Sequence, residues 1–345
     1  MPGHDIIVVG ASAGGVEALT YLVKKLPPDL NATIFIVLHV PSHGTSVLPR
    51  ILNRAGDLLV SHARNGEVIV PRRIYVAPPD CHLLVKPGFI TLVRGPRENG
   101  HRPAIDPLFR SAAQAYGRRV VAVVLTGTLD DGTAGLKALK KRNGVAVVQC
   151  PGDAMYPGMP RSAIENVEKI DYILPLAEIP DILVNLANTS VEAEEENPSS
   201  HDIEIESDLA EARMSVLNKD ERAGRPSSFG CPECGGTLWE LNEGALLRFR
   251  CRVGHAYSVQ SLLAQQSHSL EDALWSALRA LEEKSSLARR IAGRMREQNH
   301  DLSAKRLEES ARSAEESAAL IRQVLLEGNK YDVAELQKTQ DLKNE

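Results

Sequence analysis

The first half of the chain reads as an α/β domain, doubly wound around a mostly parallel sheet and Rossmann-like in layout. Three observations carry that reading. Short runs rich in β-branched residues alternate with segments of helical periodicity. Several of the runs are apolar on both faces, as strands covered on both sides by helices must be. A glycine-rich turn, GASAGG at 10–15, joins the first run to the first helix.

The elements follow in order. DIIVVG (5–10) is a short apolar strand ending in glycine. From Val16 to Leu26, apolar residues at Val16, Leu19, Leu22, Val23 and Leu26 mark one face of a helix. TIFIVLHV (33–40) is the second strand. RRIYVAP (72–78), HLLV (82–85) and FITLV (89–93) are further strands, and the runs between 73 and 93 are expected to form a small antiparallel excursion. RVVAVVLTG (119–127) is a strong strand; Gly132 to Arg142 reads as a helix and GVAVVQ (144–149) as the next strand.

After this domain, 1–187, the composition changes. Residues 188–228 hold Glu192, Glu194, Glu195, Glu196, Asp202, Glu204, Glu206 and Asp208 with few large apolar side chains, the signature of a solvated acidic linker. Residues 229–263 carry a Cys/His cluster and read as a small zinc-ribbon-like module. Residues 264–330 read as a helical hairpin. Its first helix, from Ser269, carries Leu270, Leu274, Ala277, Leu278 and Leu281; its second carries Leu307, Ala311, Ala314, Ala318, Ile321 and Leu325. The turn between them is Gln298-Asn299-His300-Asp301, with Asp301 as N-cap. Residues 331–345 form a polar tail.

The totals narrow the function classes. The 345 residues are 43% hydrophobic, enough to fill a core, and the net charge of −5 disfavours general affinity for nucleic acid or an anionic membrane. No apolar run approaches the roughly 20 residues that span a bilayer, so membrane insertion is not expected. The N-terminus lacks the layout of a signal peptide, and a cytoplasmic location is expected. Cys81 and Cys150 are isolated and read as small buried thiols.

Gly10-Ala11-Ser12-Ala13-Gly14 fits the G-x-S-x-G pattern of a nucleophile elbow, where small neighbours let the chain turn sharply and expose the serine. Taken alone, these residues fit a phosphate-cradling turn equally well. A serine nucleophile needs a base, and the base an orienting acid. His39 closes the second strand, and Asp130 and Asp131 follow RVVAVVLTG. Serine, histidine and aspartate thus each stand just past the carboxyl end of a strand, and in an open parallel sheet those ends share the ligand-binding edge. Singly, His39 reads as a structural histidine and Asp131 as the cap of the helix that begins near Gly132; together they read as a triad. The order Ser, His, Asp differs from the Ser, Asp/Glu, His order of α/β-hydrolases.

In the second half, Cys231-Pro-Glu-Cys234-Gly-Gly forms a C-x-x-C knuckle, and Cys251 and His255 follow. In a reducing compartment this set points to metal rather than disulfide, and Cys₃His is a structural zinc set that leaves no open position for catalysis. The module has few core residues (Leu238, Trp239, Leu241, Leu246, Leu247 and Phe249), so a structural zinc would supply stability. Arg248, Arg250 and Arg252 alternate on a strand and read as a solvated face rather than a nucleic-acid site.

Five blocks of the first 187 residues resemble the catalytic domain of the protein-glutamate methylesterases of bacterial chemotaxis. They are VGASAGGVEAL (9–19), His39-Val40-Pro41, YVAPPDCHL (75–83), HRPAIDPLF (101–109) with VVLTGTLDDGTAGL (123–136), and GMPRSAI (158–164). The resemblance implies Ser12 as nucleophile, His39 as base and Asp131, rather than Asp130, as acid. It implies hydrolysis of glutamyl γ-methyl esters on chemoreceptors or related signalling proteins, with release of methanol, and deamidation of glutamines. Backbone N–H groups around Ala13 or Thr128 would receive the oxyanion. No cofactor is expected for catalysis. The family commonly has threonine where this chain has Ala13, glutamine at Leu38 and methionine at Val40, so the cleft walls differ. Arg102, Asp106 and Arg161 lie in matching blocks; Arg102 and Arg161 could shape the cleft or simply tie loops together. Family members typically carry a receiver domain ahead of the esterase domain; with the nucleophile at residue 12, none is expected here.

Two readings follow from different classes. One is a methylesterase whose partner is a methylated chemoreceptor or related signalling protein. The other is a catalytically weak scaffold whose zinc module and helices bind signalling partners. The apolar stripe of the hairpin could also pair two copies into a homodimer.

Overall fold

A computed structural model describes residues 3–41, 46–191, 224–243 and 246–327. Most of the segment read as an acidic linker and the whole polar tail lie outside the described residues. The chain divides into two compact units, Met1–Leu262 and Leu263–Glu345.

The first unit opens with β1 (Ile6–Ala11), α1 (Gly15–Lys25), β2 (Thr33–Leu38), α2 (Leu48–Ala55), β3 (Leu59–His62) and β4 (Arg73–Val76). A hairpin of β5 (His82–Lys86) and β6 (Phe89–Val93) follows, then α3 (Ile105–Tyr116), β7 (Val120–Val124), α4 (Thr133–Lys141), β8 (Val145–Gln149), α5 (Gly158–Asn166), β9 (Tyr172–Leu174) and α6 (Ile179–Asn188). Seven strands form one sheet in the order β3-β4-β2-β1-β7-β8-β9, and every pairing in it is parallel. The antiparallel excursion is confined to β5 and β6; β4, expected within it, pairs in parallel with β2 and β3. Sequence periodicity did not reveal α2, β3, α3, α5, β9 or α6.

Period-two alternation builds two cores from the same strands. Ile7, Val9, Ile34, Ile36, Val121 and Val123 face one layer, where Leu19, Leu22, Leu52 and Leu183 from α1, α2 and α6 cover them. Ile6, Val8, Phe35, Val37, Val120 and Ala122 face the other, against Leu108 and Phe109 of α3, Leu136 and Leu139 of α4 and Ala163 of α5. Each such side chain, fully buried, stabilises the fold by about 1.5–3 kcal/mol. This is why the strands read as continuous apolar runs rather than alternating ones. The direction of winding reverses beside β1, between β2 and β7, so the crevice of an open sheet lies past the carboxyl ends of these strands.

A second sheet in the same unit has four antiparallel strands, β10 (Arg225–Gly230), β11 (Thr237–Glu243), β12 (Leu246–Cys251) and β13 (Ala256–Ser258). β10 opens within the segment assigned to the linker. Its core is small: Leu238, Phe249, Tyr257 and Leu262 with the Cys231 and Cys251 side chains.

The helix after β13, α7 (Val259–Glu297), starts ten residues before the expected Ser269, because Ser258 and Ser261 cap it. The Ser261 N–H donates to Ser258 Oγ at 3.0 Å and the Ser258 N–H to Ser261 Oγ at 2.9 Å, a reciprocal capping box. In the second unit α7 turns back through Asn299, at φ 59°, into α8 (Asp301–Glu327). Asp301 is therefore the first helical residue, not the cap. Ala304, Ala311, Ala314 and Ala318 of α8 are buried, as are Leu278, Ala288 and Ala292 of α7, while Leu270 is exposed. The ion pairs Arg289–Glu315 at 2.6 Å, Arg296–Glu308 at 2.6 Å and Arg322–Glu282 run antiparallel along the hairpin. No helix among the described residues is long and apolar enough to cross a membrane.

Candidate active site

Register places the three triad candidates together. Ala11 is level with Leu38, and Gly10 with Val124, so the residues that follow β1, β2 and β7 meet at one sheet edge. Ser12 Oγ lies 3.1 Å from His39 Nδ1, and His39 Nε2 lies 2.7 Å from Asp131 Oδ2. The elbow itself is held by the segment that follows β7: the Ser12 N–H donates to Thr126 O at 3.0 Å, and Thr126 Oγ1 donates to Ala13 O at 3.0 Å. Gly14 takes φ 71° to enter α1, a conformation glycine adopts without strain. Gly127 is the close-approach position, since a Cβ there would stand 2.9 Å from Ser12 Cβ and 2.1 Å from Met159 Sδ.

Asp131 is almost fully buried and heavily hydrogen-bonded. Its Oδ2 also accepts the Ile105 N–H at 2.7 Å, and Oδ1 accepts the Asn99 side-chain amide at 3.0 Å and the Asp106 N–H at 3.3 Å. Burial alone would raise this carboxyl; the His39 contact and the Ile105 N–H outweigh it and hold Asp131 below the usual carboxylate range. An ionised Asp131 accepts the Nε2 proton of His39, which leaves the Nδ1 lone pair facing Ser12 Oγ.

Asp131 serves the starts of two helices: it accepts the Ile105 and Asp106 N–H groups of α3, and its Oδ1 also accepts the Gly132 N–H before α4 at 3.0 Å. Asp106 Oδ1 shares that Gly132 N–H, at 3.0 Å, and accepts the Gly135 N–H at 2.7 Å. Burial and the adjacent Asp131 charge push the Asp106 carboxyl well up, so Asp131 carries the charge of the pair.

His101 stacks on His39 with ring centroids 3.7 Å apart. Burial, then the neighbouring His39, depresses its pKa to about 3, so a neutral ring backs the imidazole of the triad. Arg102 does not line the serine: its Nε and Gly95-directed NH1 tie Asp80 (2.8 Å) and Gly95 O (2.7 Å) together. Arg161 sits on α5. Asp130 turns away from His39 and accepts Ser258 Oγ at 2.7 Å.

The Cys/His set is also assembled. The ligand atoms of Cys231, Cys234, Cys251 and His255 all lie within 4.8 Å of one another. Three separations, Cys231 Sγ to His255 Nδ1, Cys251 Sγ to His255 Nδ1, and Cys234 Sγ to Cys251 Sγ, are 3.6 Å. Bonds of about 2.3 Å to sulfur and about 2.0 Å to nitrogen put tetrahedral ligands roughly 3.5–3.8 Å apart, so the group could hold a metal ion. Glu233 Oε2, 3.2 Å from His255 Nε2, orients the ring from outside. The arginine face needs correction as well. Arg248 and Arg250 are buried, each with a guanidinium nitrogen 3.7 Å from Glu98, which also pairs with Arg110 at 2.7 Å.

A seven-stranded doubly wound domain with serine, histidine and aspartate hydrogen-bonded in series at its switch point defines a class of α/β proteins with a serine-hydrolase-like site. The CheB methylesterase profile matches residues 7–183. The crystal structure of the Thermotoga maritima CheB methylesterase catalytic domain superposes with a TM-score of 0.51 at 35% identity, over 53% of this chain and 98% of that one. The protein-glutamate methylesterase/protein-glutamine glutaminase of Pyrococcus horikoshii is 38% identical over 53% of this chain and 51% of its own length. The putative enzyme of that name from Leptospira interrogans is 37% identical over 55% of this chain and 98% of its own length. The chain belongs to the CheB methylesterase family. It spans about half the length of the Pyrococcus relative that it matches.

Sequence reasoning missed Asn99, His101 and Thr126 as site residues. Asn99-Gly100 did carry a signal: asparagine-glycine favours a two-residue hairpin turn, and Glu98 and His101 exchange backbone hydrogen bonds at 3.2 and 2.9 Å around Asn99 (φ 52°) and Gly100 (φ 76°).

Proposed function

We propose that this protein hydrolyses glutamyl γ-methyl esters on a chemoreceptor or related signalling protein, releasing methanol, and deamidates glutamines by the same route. The hydrogen-bonded series Ser12–His39–Asp131 carries the reading. His39 Nδ1 takes the hydroxyl proton as Ser12 Oγ attacks the ester carbonyl, and Asp131 holds the imidazolium through Nε2. The proton then passes to the departing methoxide, and methanol leaves. Water, deprotonated by His39, attacks the acyl-serine and regenerates the glutamate carboxylate and Ser12. The developing oxyanion forms at the N-terminal end of α1, where the helix dipole and the Ala13 N–H favour negative charge.

The test is methanol release from methylated chemoreceptor membranes. Ser12→Ala is expected to lower it by at least about 10⁴-fold. Equal release by wild type and variant would refute the nucleophile; no release by folded wild type would remove such receptors as substrate.

The Cys₃His group takes a structural zinc in this reading, supported by its spacing and the orienting Glu233, and metal analysis of the purified chain tests it. A homodimer through the hairpin rests on exposed Trp275, Leu287, Leu302 and Leu320, and sedimentation of the full chain tests it.

A further inference from the structure

We propose that the Cys/His module is a clasp that positions the triad acid through Asn99, so that its metal-held fold sets the reactivity of Ser12. The inference rests on the esterase reading for its consequence and on contacts within the first unit for its geometry.

The turn 98–101 lies between the two sheets. On one side, the Asn99 side-chain amide donates to Asp131 Oδ1 and to Asp106 Oδ2, both at 3.0 Å, and His101 lies flat on His39. On the other side, the module grips the turn. The Asn99 N–H donates to Ala256 O at 2.7 Å, and the Ala256 N–H donates to Arg97 O at 3.2 Å. Asn99 Oδ1 accepts the Ser258 N–H and Ser261 Oγ, both at 3.0 Å. Every one of these module donors and acceptors comes from β13 or the capping box behind it. Asn99 is buried, so without β13 its carbonyl oxygen would lose both protein donors and its backbone would be freed from the strand.

The side-chain amide of asparagine is planar. Fixing its oxygen from the module therefore aims its NH₂ group at the two aspartates. Asn99 is a positioning residue: it touches neither Ser12 nor the ester, and acts by holding Asp131 Oδ1 so that Oδ2 stays aimed at His39. Ser258 adds a second tie, to Asp130 beside Asp131. The burial of Glu98 under Arg110 from the sheet domain and Arg248 and Arg250 from the module clamps the base of the same turn.

The metal set joins this device to the ligand state. Cys251 ends β12 and His255 precedes β13, and the Cys251 N–H donates to His255 O at 3.0 Å, so the two ligands bracket the loop that delivers Ala256 and Ser258 to Asn99.

The test uses the full chain with its metal content measured, and two readouts. One is the low-field proton resonance of the His39–Asp131 hydrogen bond, which needs no substrate. The other is the rate at which a fluorophosphonate labels Ser12. Asn99→Ala is expected to slow labelling by about 10–100-fold, as loss of a group that orients a catalytic partner does, and to shift or broaden the resonance while metal content stays unchanged. Chelation of the wild type should do the same and zinc should restore it. Ser261→Ala, which leaves Asn99 in place and removes one of its donors, should give a smaller change in the same direction and serves if Asn99→Ala does not fold. The proposal is overturned if these variants leave both readouts at wild-type values. It is equally overturned if chelation opens hydrogen exchange at Ala256 without moving the resonance. A zinc-loaded wild type that never labels, but whose resonance responds as described, would sink the esterase reading and leave the clasp standing.

Discussion

In the seven-stranded domain, Val9, Ile36 and Val123 are sealed between helices on both faces; in the four-stranded module, the core is Leu238, Phe249, Tyr257 and Leu262 around two cysteines. The first excludes water with apolar area alone and can leave its polar groups to the sheet edge, where Ser12, His39 and Asp131 stand. The second has too little apolar area for that. It adds three cysteines and a histidine spaced so that they could hold a metal ion, and arginines turned inward to a buried glutamate. The lesson is that the sheet edge carrying Ser12, His39 and Asp131 shares a polar seam with the module: groups that a self-sufficient core would not need, such as Glu98 and Asn99, are where the two regions meet.

That comparison can be broken, starting from the largest effect. Removal of metal should unfold the module and leave the seven-stranded domain folded, since a structural zinc supplies on the order of 10 kcal/mol. Limited proteolysis after chelation should cut within 225–262 before 5–187; simultaneous cleavage of both would show that the large core depends on the small one. Asp131→Asn should lower kcat by about 10⁴-fold, because its NH₂ group can donate to His39 Nε2 and so leave the imidazole proton on Nδ1, where the base must face Ser12; stopped-assay kinetics on the methyl ester would show a loss in kcat rather than KM. Leu22→Ala, in the fully buried layer under α1, should cost about 2–5 kcal/mol in denaturant unfolding, with the metal still bound.

The smallest effect lies on the seam. Burial raises the Asp130 carboxyl to about 6, against the pull of its Ser258 hydrogen bond. A carboxyl whose folded pKa exceeds the unfolded one near 3.8 binds its proton more tightly when folded. Stability is therefore fully present below about 3.8 and lost as pH rises through about 6. Asp130→Asn, which still accepts Ser258 Oγ, should stabilise the protein by on the order of 2 kcal/mol at pH 8, with a smaller gain at pH 5. Denaturation midpoints at the two pH values would show it; an equal gain at both would mean that another group sets the effect.

Much of the fold was legible because burial on both faces leaves continuous apolar runs, and β1, β2, β7 and β8 announced themselves this way. The meeting of Ser12 and His39 was legible because each ends such a strand. The helices α2 and α7 show where the reading ran out. α2 is a single short element with Pro49 near its start, and the start of α7 is set by a serine pair, Ser258 and Ser261, that resembles any polar loop until both hydrogen bonds form.

By itself, the sequence determined the strand order of chemistry: a serine after β1, a histidine after β2, acids after β7, and a cysteine pair with a later Cys and His. Only the tertiary structure decided between Asp130 and Asp131 by geometry, brought Asp106 and Asp131 together at the starts of α3 and α4, and buried Arg248 and Arg250. The physical reason is range. Hydrophobic periodicity is written over a few neighbouring residues, whereas a carboxylate's partner is whichever donor the folded chain brings within about 3 Å. For Asp131 those donors, Asn99, Ile105 and His39, lie 26 to 92 residues away.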